Sequence, residues 1–166
     1  MTDQTDPTLD RLLCHMAWAN ASLLAIVAAQ PDEALALAAP RNEWSVAMIV
    51  GHLVGAAEGY VRRLDGGTRE PDPPPPATRA DVLALAARCA AADARLRALG
   101  AVPEGSVVSG TPPRTRARST ILAQAIHHAT EHRAQIAAAL ATNGNDAIDL
   151  DELDLWAYGD AEGLGA

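Results

Sequence analysis

Ser119–Thr142 reads STILAQAIHHATEHRAQIAAALAT, and its pattern decides the fold. Ser119 stands where an N-cap belongs, and Asn143-Gly144 supplies a stop after the last periodic residue. Between them Ile121, Ala125, Ile136 and Ala139 recur at helical spacing, with alanine filling most of the remainder. The same face carries His128 and His132, four residues apart, so both imidazoles point inward with Cβ atoms roughly 5–6 Å from each other. An amphipathic helix of this length has to bury its stripe against other helices.

The rest of the chain supplies them. Asp6-Pro7 is an acceptor followed by proline at the first helical position, opening a helix to about Ala29. Its stripe is Leu12, Leu13, Met16, Leu23, Leu24 and Val27, and Pro31 stops it. A further turn is expected over Glu33 to Ala38. Ser45 caps a second helix to about Leu64, with Ile49, Leu53, Ala56 and Tyr60 on its apolar face. Asp65-Gly66-Gly67 ends it, and residues 65 to 77, with Pro71 and Pro73 to Pro76, read as an extended, exposed connection of polyproline character. Thr78 and Asp81 form a capping box for a third helix to about Leu99, facing inward through Leu83, Leu85 and Leu96. Residues 100 to 118 suit a turn or short β-hairpin, and Asp151 to Tyr158 a short last helix packing Leu153, Leu155 and Trp156 onto the rest. The expected fold is all-α: one domain over residues 1–166, a four-helix bundle with long crossover connections and a short C-terminal helix.

Composition narrows the function. Apolar types make up 49% of the chain, much of it alanine and none of it phenylalanine, which suits closely packed helices. The formal charge is −8 and every one of the 13 basic residues is arginine. A chain this acidic has no broad attraction for phosphate backbones or anionic lipid, which argues against nucleic-acid and membrane partners. Arg114, Arg116 and Arg118 form the densest basic run and read as a solvated loop. Cys14 and Cys89 lie far apart in no metal or redox spacing and read as small buried thiols of a reducing compartment. Met1 to Pro7 lacks the basic and apolar regions of a signal peptide, and no long apolar run is free of charge and histidine, so the expected location is the cytoplasm.

The chemistry concentrates on histidine. Three of the five histidines, His127, His128 and His132, fall in the fourth helix. Two buried imidazoles side by side each need a hydrogen bond or a metal. His52 in the second helix lies between Gly51 and Gly55 on an apolar face; by itself it reads as a satisfied core histidine sooner than as a ligand. The two glycines permit a close approach by a neighbouring helix.

These stretches resemble the DinB-like (DinB/YfiT) family of metalloenzymes in three places. Trp18-Ala19-Asn20 with Leu23-Leu24 is similar to the family's first-helix signature, and Trp44-Ser45 leading to Gly51-His52-Leu53 and Glu58 resembles the start of its second helix. His128-x-x-x-His132-Arg133-Ala134-Gln135 resembles the fourth-helix signature, with Ala134 where glycine is usual. The resemblance implies a four-helix bundle, commonly homodimeric, in which His52, His128 and His132 bind one divalent ion.

Three neutral histidines would leave such an ion its full charge and an open position, a geometry that suits catalysis on a small-molecule substrate. Zinc or nickel is the first expectation; manganese, iron and cobalt also accept imidazole. The resemblance further implies thiol-dependent S-transfer with a low-molecular-weight thiol, or metal-dependent hydrolysis. The alternative is a non-catalytic binding or stress-associated protein stabilised by its metal. No dedicated general base or nucleophile is legible. Glu58 and Glu131 read as surface ion-pairing acids and Arg133 as the partner of a surface acid. Gln135 has a packing or hydrogen-bonding role, His127 points away from His128, His15 is a partly exposed helix residue with a place at the cavity mouth as the alternative, and Trp44 anchors the core or walls a pocket.

Overall fold

A computed structural model describes residues 6–41, 43–67 and 70–163. Five helices and one hairpin follow in order: α1 (Pro7–Ala29), α2 (Val46–Leu64), α3 (Arg79–Gly100), β1 (Ser106–Ser109), β2 (Arg114–Ala117), α4 (Arg118–Ala141) and α5 (Leu155–Ala161). Short 3-10 turns occupy Asp32–Ala36 and Asp151–Leu153. The expected N-terminal residues Met1–Thr5 lie outside the described residues.

The helix starts are set by local chemistry. Asp6 accepts from the backbone N–H of Thr8 at 2.8 Å and of Leu9 at 3.0 Å, a cap that contributes about 1 kcal/mol. Ser45 caps α2 through Met48 N–H, and the Thr78–Asp81 capping box closes the start of α3 in both directions. α4 differs from expectation. It begins two residues earlier, with Ala117 at the cap position, and Ser119 lies inside its first turn. Arg118 instead anchors that end, its guanidinium donating to the carbonyls of Leu64 and Leu99 at 3.3 and 3.2 Å, at the C-terminal ends of α2 and α3. One member of the basic run is therefore a clamp across the last turns of two helices, while Arg114 and Arg116 are exposed.

α1 packs on α3, α2 packs on both α3 and α4, and α4 makes a lighter contact with α1. Leu13, Met16, Leu23, Leu24, Ile49, Leu53, Leu96, Ile136 and Leu140 are the large side chains at the centre. The third helix turns by about one residue from its expected face: Val82 is buried and Leu83 is half exposed, Leu85 and Leu96 pointing inward as expected. α1 is long and apolar enough by composition to cross a membrane, yet Leu13, Met16, Leu23 and Leu24 are spent on this core.

The C-terminal segment docks differently from its sequence pattern. Leu153 and Tyr158 are buried, but Leu155 is 43% and Trp156 84% exposed. The seven residues of α5 present Tyr158 inward, and two residues earlier a helix faces nearly the opposite way. His15 is the anchor. It is buried, not at a cavity mouth, and its Nε2–H donates to the carbonyl oxygen of Leu153 at 2.8 Å, with Trp18 and Tyr158 against its ring.

Burial holds the His15 imidazole below its ordinary 6.5, with the bond to Leu153 opposing the shift. The unfolded chain therefore takes up this proton first as pH falls, so the stability present above pH 6.5 is lost as pH drops through the folded value. The urea midpoint of the metal-free protein is expected to be lower at pH 5 than at pH 7.5. His15→Gln should reduce that difference, and an unchanged difference would refute the assignment.

Candidate metal centre

α2 and α4 run side by side and present His52, His128 and His132 to one another. The Nε2 atom of His128 lies 3.2 Å from that of His52 and 3.0 Å from that of His132. One nitrogen from each ring falls within 4.8 Å of both others. Three ligands of a tetrahedral ion bound at 2.0–2.1 Å would stand about 3.3 Å apart, so the spacing fits a single ion.

Hydrogen bonding decides which nitrogens are available. The carboxylate of Asp72 lies 2.6 Å from His52 Nδ1 and accepts its proton. Gln135 Oε1 lies 2.7 Å from His132 Nδ1 and accepts likewise. Both rings are thereby set in the Nδ1–H tautomer, and their Nε2 lone pairs converge on His128. A single proton on His128 Nε2 satisfies only part of that concentration of lone pairs; a cation at the common point satisfies all of it. The residues fit a divalent metal.

Burial reinforces this. His132 is 7% exposed, and desolvation holds its pKa below the ordinary histidine value, the bond to Gln135 opposing and the His52 charge assisting. The neutral, ligating form is favoured. Trp44 covers the outer side: its ring lies nearly parallel to His132 at 6.2 Å and edge-on to His52 at 4.8 Å. Tyr60 meets His128 edge-on at 5.8 Å.

The segment that delivers Asp72 corrects the reading of the proline-rich connection. Pro73 and Pro76 are buried, and Gly51 and Gly55 receive this segment, not α4. A Cβ on Gly51 would stand 3.1 Å from the carbonyl oxygen of Pro73, and one on Gly55 would stand 2.9 Å from the Cα of Asp72. The glycines flanking His52 are thus the floor on which its carboxylate partner lies. Asp72 went unread in the sequence; the available signal was a single acid locked between Pro71 and Pro73 one helix after a glycine-flanked histidine.

Other candidates fall elsewhere. Glu58 makes the expected surface pair, with Arg88 at 2.8 and 2.9 Å. Glu131 approaches His127 at 3.5 Å on the exposed side of α4. Gln135 does have a hydrogen-bonding role, on one of the three clustered histidines. Arg133 is the clear correction: it is 4% exposed, donating to Asn20 Oδ1 at 2.8 Å and to Thr130 Oγ1 at 3.0 Å. Its site faces α1, where Asn20 in turn donates to Asp93 at 3.0 Å. Ala134 is exposed, so the methyl group in place of the usual glycine meets no neighbouring helix.

The sequence model of the DinB family matches residues 1–160. The chain belongs to the DinB family. No match is found among curated proteins or solved structures. In this DinB-family protein the three histidines expected from the family motifs are the ones brought together.

Two spaces bear on access. A cavity of about 60 Å³ beside the centre is lined by His52, Ala56, Gly59, Tyr60, Arg63 and His128. A cleft of about 970 Å³ lies between α1, α3 and α5, but none of the three histidines lines it. The small space touches the chemistry and the large one does not.

Removing the Asp72 carboxylate should weaken metal binding without removing a ligand. Asp72→Ala frees His52 Nδ1 and its tautomer, and a loss of about 10–100-fold in metal affinity is expected. Competition with a chromophoric chelator measures it; unchanged affinity would show that Asp72 does not orient the imidazole.

Proposed function

We propose that this DinB-family protein is a metal-dependent enzyme acting on small molecules, a transferase that uses a low-molecular-weight thiol, with metal-dependent hydrolysis as the second reading. The observation that carries the proposal is the convergence of three Nε2 atoms whose ring partners are already fixed by Asp72 and Gln135. Among the described residues no fourth histidine, cysteine or carboxylate joins that group, which supports an open position over a closed structural site.

A divalent ion held there would act as a Lewis acid, favouring the ionised form of a thiol or other weak acid in its open position. The chain's own residues supply the rest. His52, His128 and His132 would hold the ion through uncharged ligand nitrogens, so none of its charge would be cancelled. Asp72 and Gln135 fix the rings before binding, which lowers the ordering cost at that step. Trp44 and Tyr60 exclude water from two sides of the centre. Free Cys14 and Cys89 suit the reducing cytoplasm proposed for the protein, and exposed Trp156 and Leu155 offer apolar surface to a second copy in the proposed homodimer.

The test begins with metal content of protein purified without added metal, followed by thiol consumption in the presence of epoxide or maleyl electrophiles. Metal at one equivalent with electrophile-dependent loss of thiol supports the transferase. Metal that raises the melting temperature while no thiol is consumed and no ester or amide is cleaved favours the non-catalytic alternative. Absence of metal under conditions that load a control three-histidine protein would overturn the enzyme reading.

A further inference from the structure

The space beside the centre has a cation at its far end. Ala56 and Tyr60 follow His52 at steps of four along α2, Gly59 and Arg63 lie beside them four residues apart, and all five line the 60 Å³ cavity with His128. Ala56 and Gly59 contribute the smallest side chains of its lining. Tyr60 is in contact with both His128 and Arg63: its ring is 5.8 Å from His128 and 5.7 Å from the guanidinium carbon of Arg63.

Arg63 differs from the arginines around it. Arg62, Arg88, Arg95 and Arg97 each lie within 4.0 Å of a carboxylate: Arg62 near Glu58 and Glu70, Arg88 on Glu58, Arg95 on Asp65 and Arg97 on Asp10. Arg63, half-buried, has no carboxylate partner among the described residues. In a chain of net charge −8, carboxylates are plentiful, yet this guanidinium is left to the face of a tyrosine. A guanidinium held over a ring face in this way is not committed to an acid of the chain, and its planar fork suits bidentate capture of a carboxylate.

We propose that Arg63 is the specificity-determining residue of this site and that its ligand is a small carboxylic acid, bound through a donor atom at the three-histidine centre and through its carboxylate at Arg63. The inference rests on the metal-centre reading and adds the substrate class to it. The small volume restricts the bound portion to a short chain, with any larger remainder outside. Recognition is then divided between the two ends. The imidazoles hold the ion that takes the donor atom, and a charge-assisted pair at the other end sets orientation and selects acids over neutral analogues.

Cobalt(II)-loaded protein provides the test, read from its ligand-field and thiolate charge-transfer absorption. Wild type is titrated with 3-mercaptopropionate and, separately, with 3-mercapto-1-propanol, a neutral analogue of the same length. The acid is expected to bind about tenfold more tightly or better. Arg63→Gln should bring the two affinities within about twofold by weakening the acid alone, and Arg63→Lys should keep part of the preference, since a point charge replaces the fork. Equal affinities in the wild type, or a preference that survives in Arg63→Gln, would overturn the role of Arg63 while leaving the metal centre intact. A protein that takes up no cobalt, or whose spectrum neither thiol changes, would overturn the centre and this proposal with it.

Discussion

Replacing His128 with alanine is expected to abolish stoichiometric metal binding while leaving the bundle folded. His128 is the middle member of the cluster, 3.0 Å from one partner nitrogen and 3.2 Å from the other. Its removal leaves two lone pairs facing across a gap with no third ligand, so the loss of affinity should exceed the roughly 100-fold upper range for losing a supporting hydrogen bond. His128 is only partly buried and most of the large side chains of α4 turn elsewhere, so helicity should be retained. The effect is also visible as stability. Metal at about 100 times its dissociation constant adds roughly 2.7 kcal/mol, or about 5–10 °C in a domain of this size. That increment should vanish in His128→Ala at the same metal concentration. One equivalent of tightly held metal in the variant would show that the ion sits elsewhere.

The contrast between His128 and Asp72 shows where sequence reading succeeds. His128 and His132 share a helix, and a four-residue step fixes their relative placement before any tertiary structure is known. His52 required knowledge of which helices meet, which the family motifs supplied and periodicity did not. Helix boundaries were legible where a side chain signals them, as at Asp6, Ser45 and the Thr78–Asp81 box. They were less so at α4, because Arg118 secures that end through carbonyls of residues 64 and 99 and no local pattern encodes such partners. Asp72 was missed for the same reason: a proline-rich stretch reads as solvent-exposed unless something receives it, and the receiving surface is the absence of side chains at Gly51 and Gly55. Trp156 erred the other way, since a large aromatic is expected inside, but a helix of seven residues has one inward face and Tyr158 takes it.

Arg133 illustrates the hardest class, a charged side chain whose partners come from distant helices, and it carries the largest expected cost to stability. Its guanidinium donates to Asn20, Asn20 donates to Asp93, and the Cys89 thiol lies 3.6 Å from the same Asp93 oxygen. All four residues are buried. Burial pulls Arg133 down to about 10 and pushes Asp93 upward from the ordinary carboxylate value, so each group is strained toward neutrality and each is supported by the other's charge. The second carboxylate oxygen of Asp93 has no hydrogen-bond partner among the described residues, which makes the nearby cation more important. Arg133→Met should therefore destabilise the fold by roughly 3–5 kcal/mol, the range for leaving one buried charge without its counterpart. Losing Arg133 pushes the already raised Asp93 value higher still, so the deficit should open as pH rises through the wild-type folded value and grow until the variant's own, higher value is passed. Asp93→Asn in the Arg133→Met background removes the stranded charge and should recover part of the loss, as read from urea midpoints at pH 7. A single-variant cost below about 1 kcal/mol, or no recovery in the double variant, would show that the bundle does not depend on this pairing.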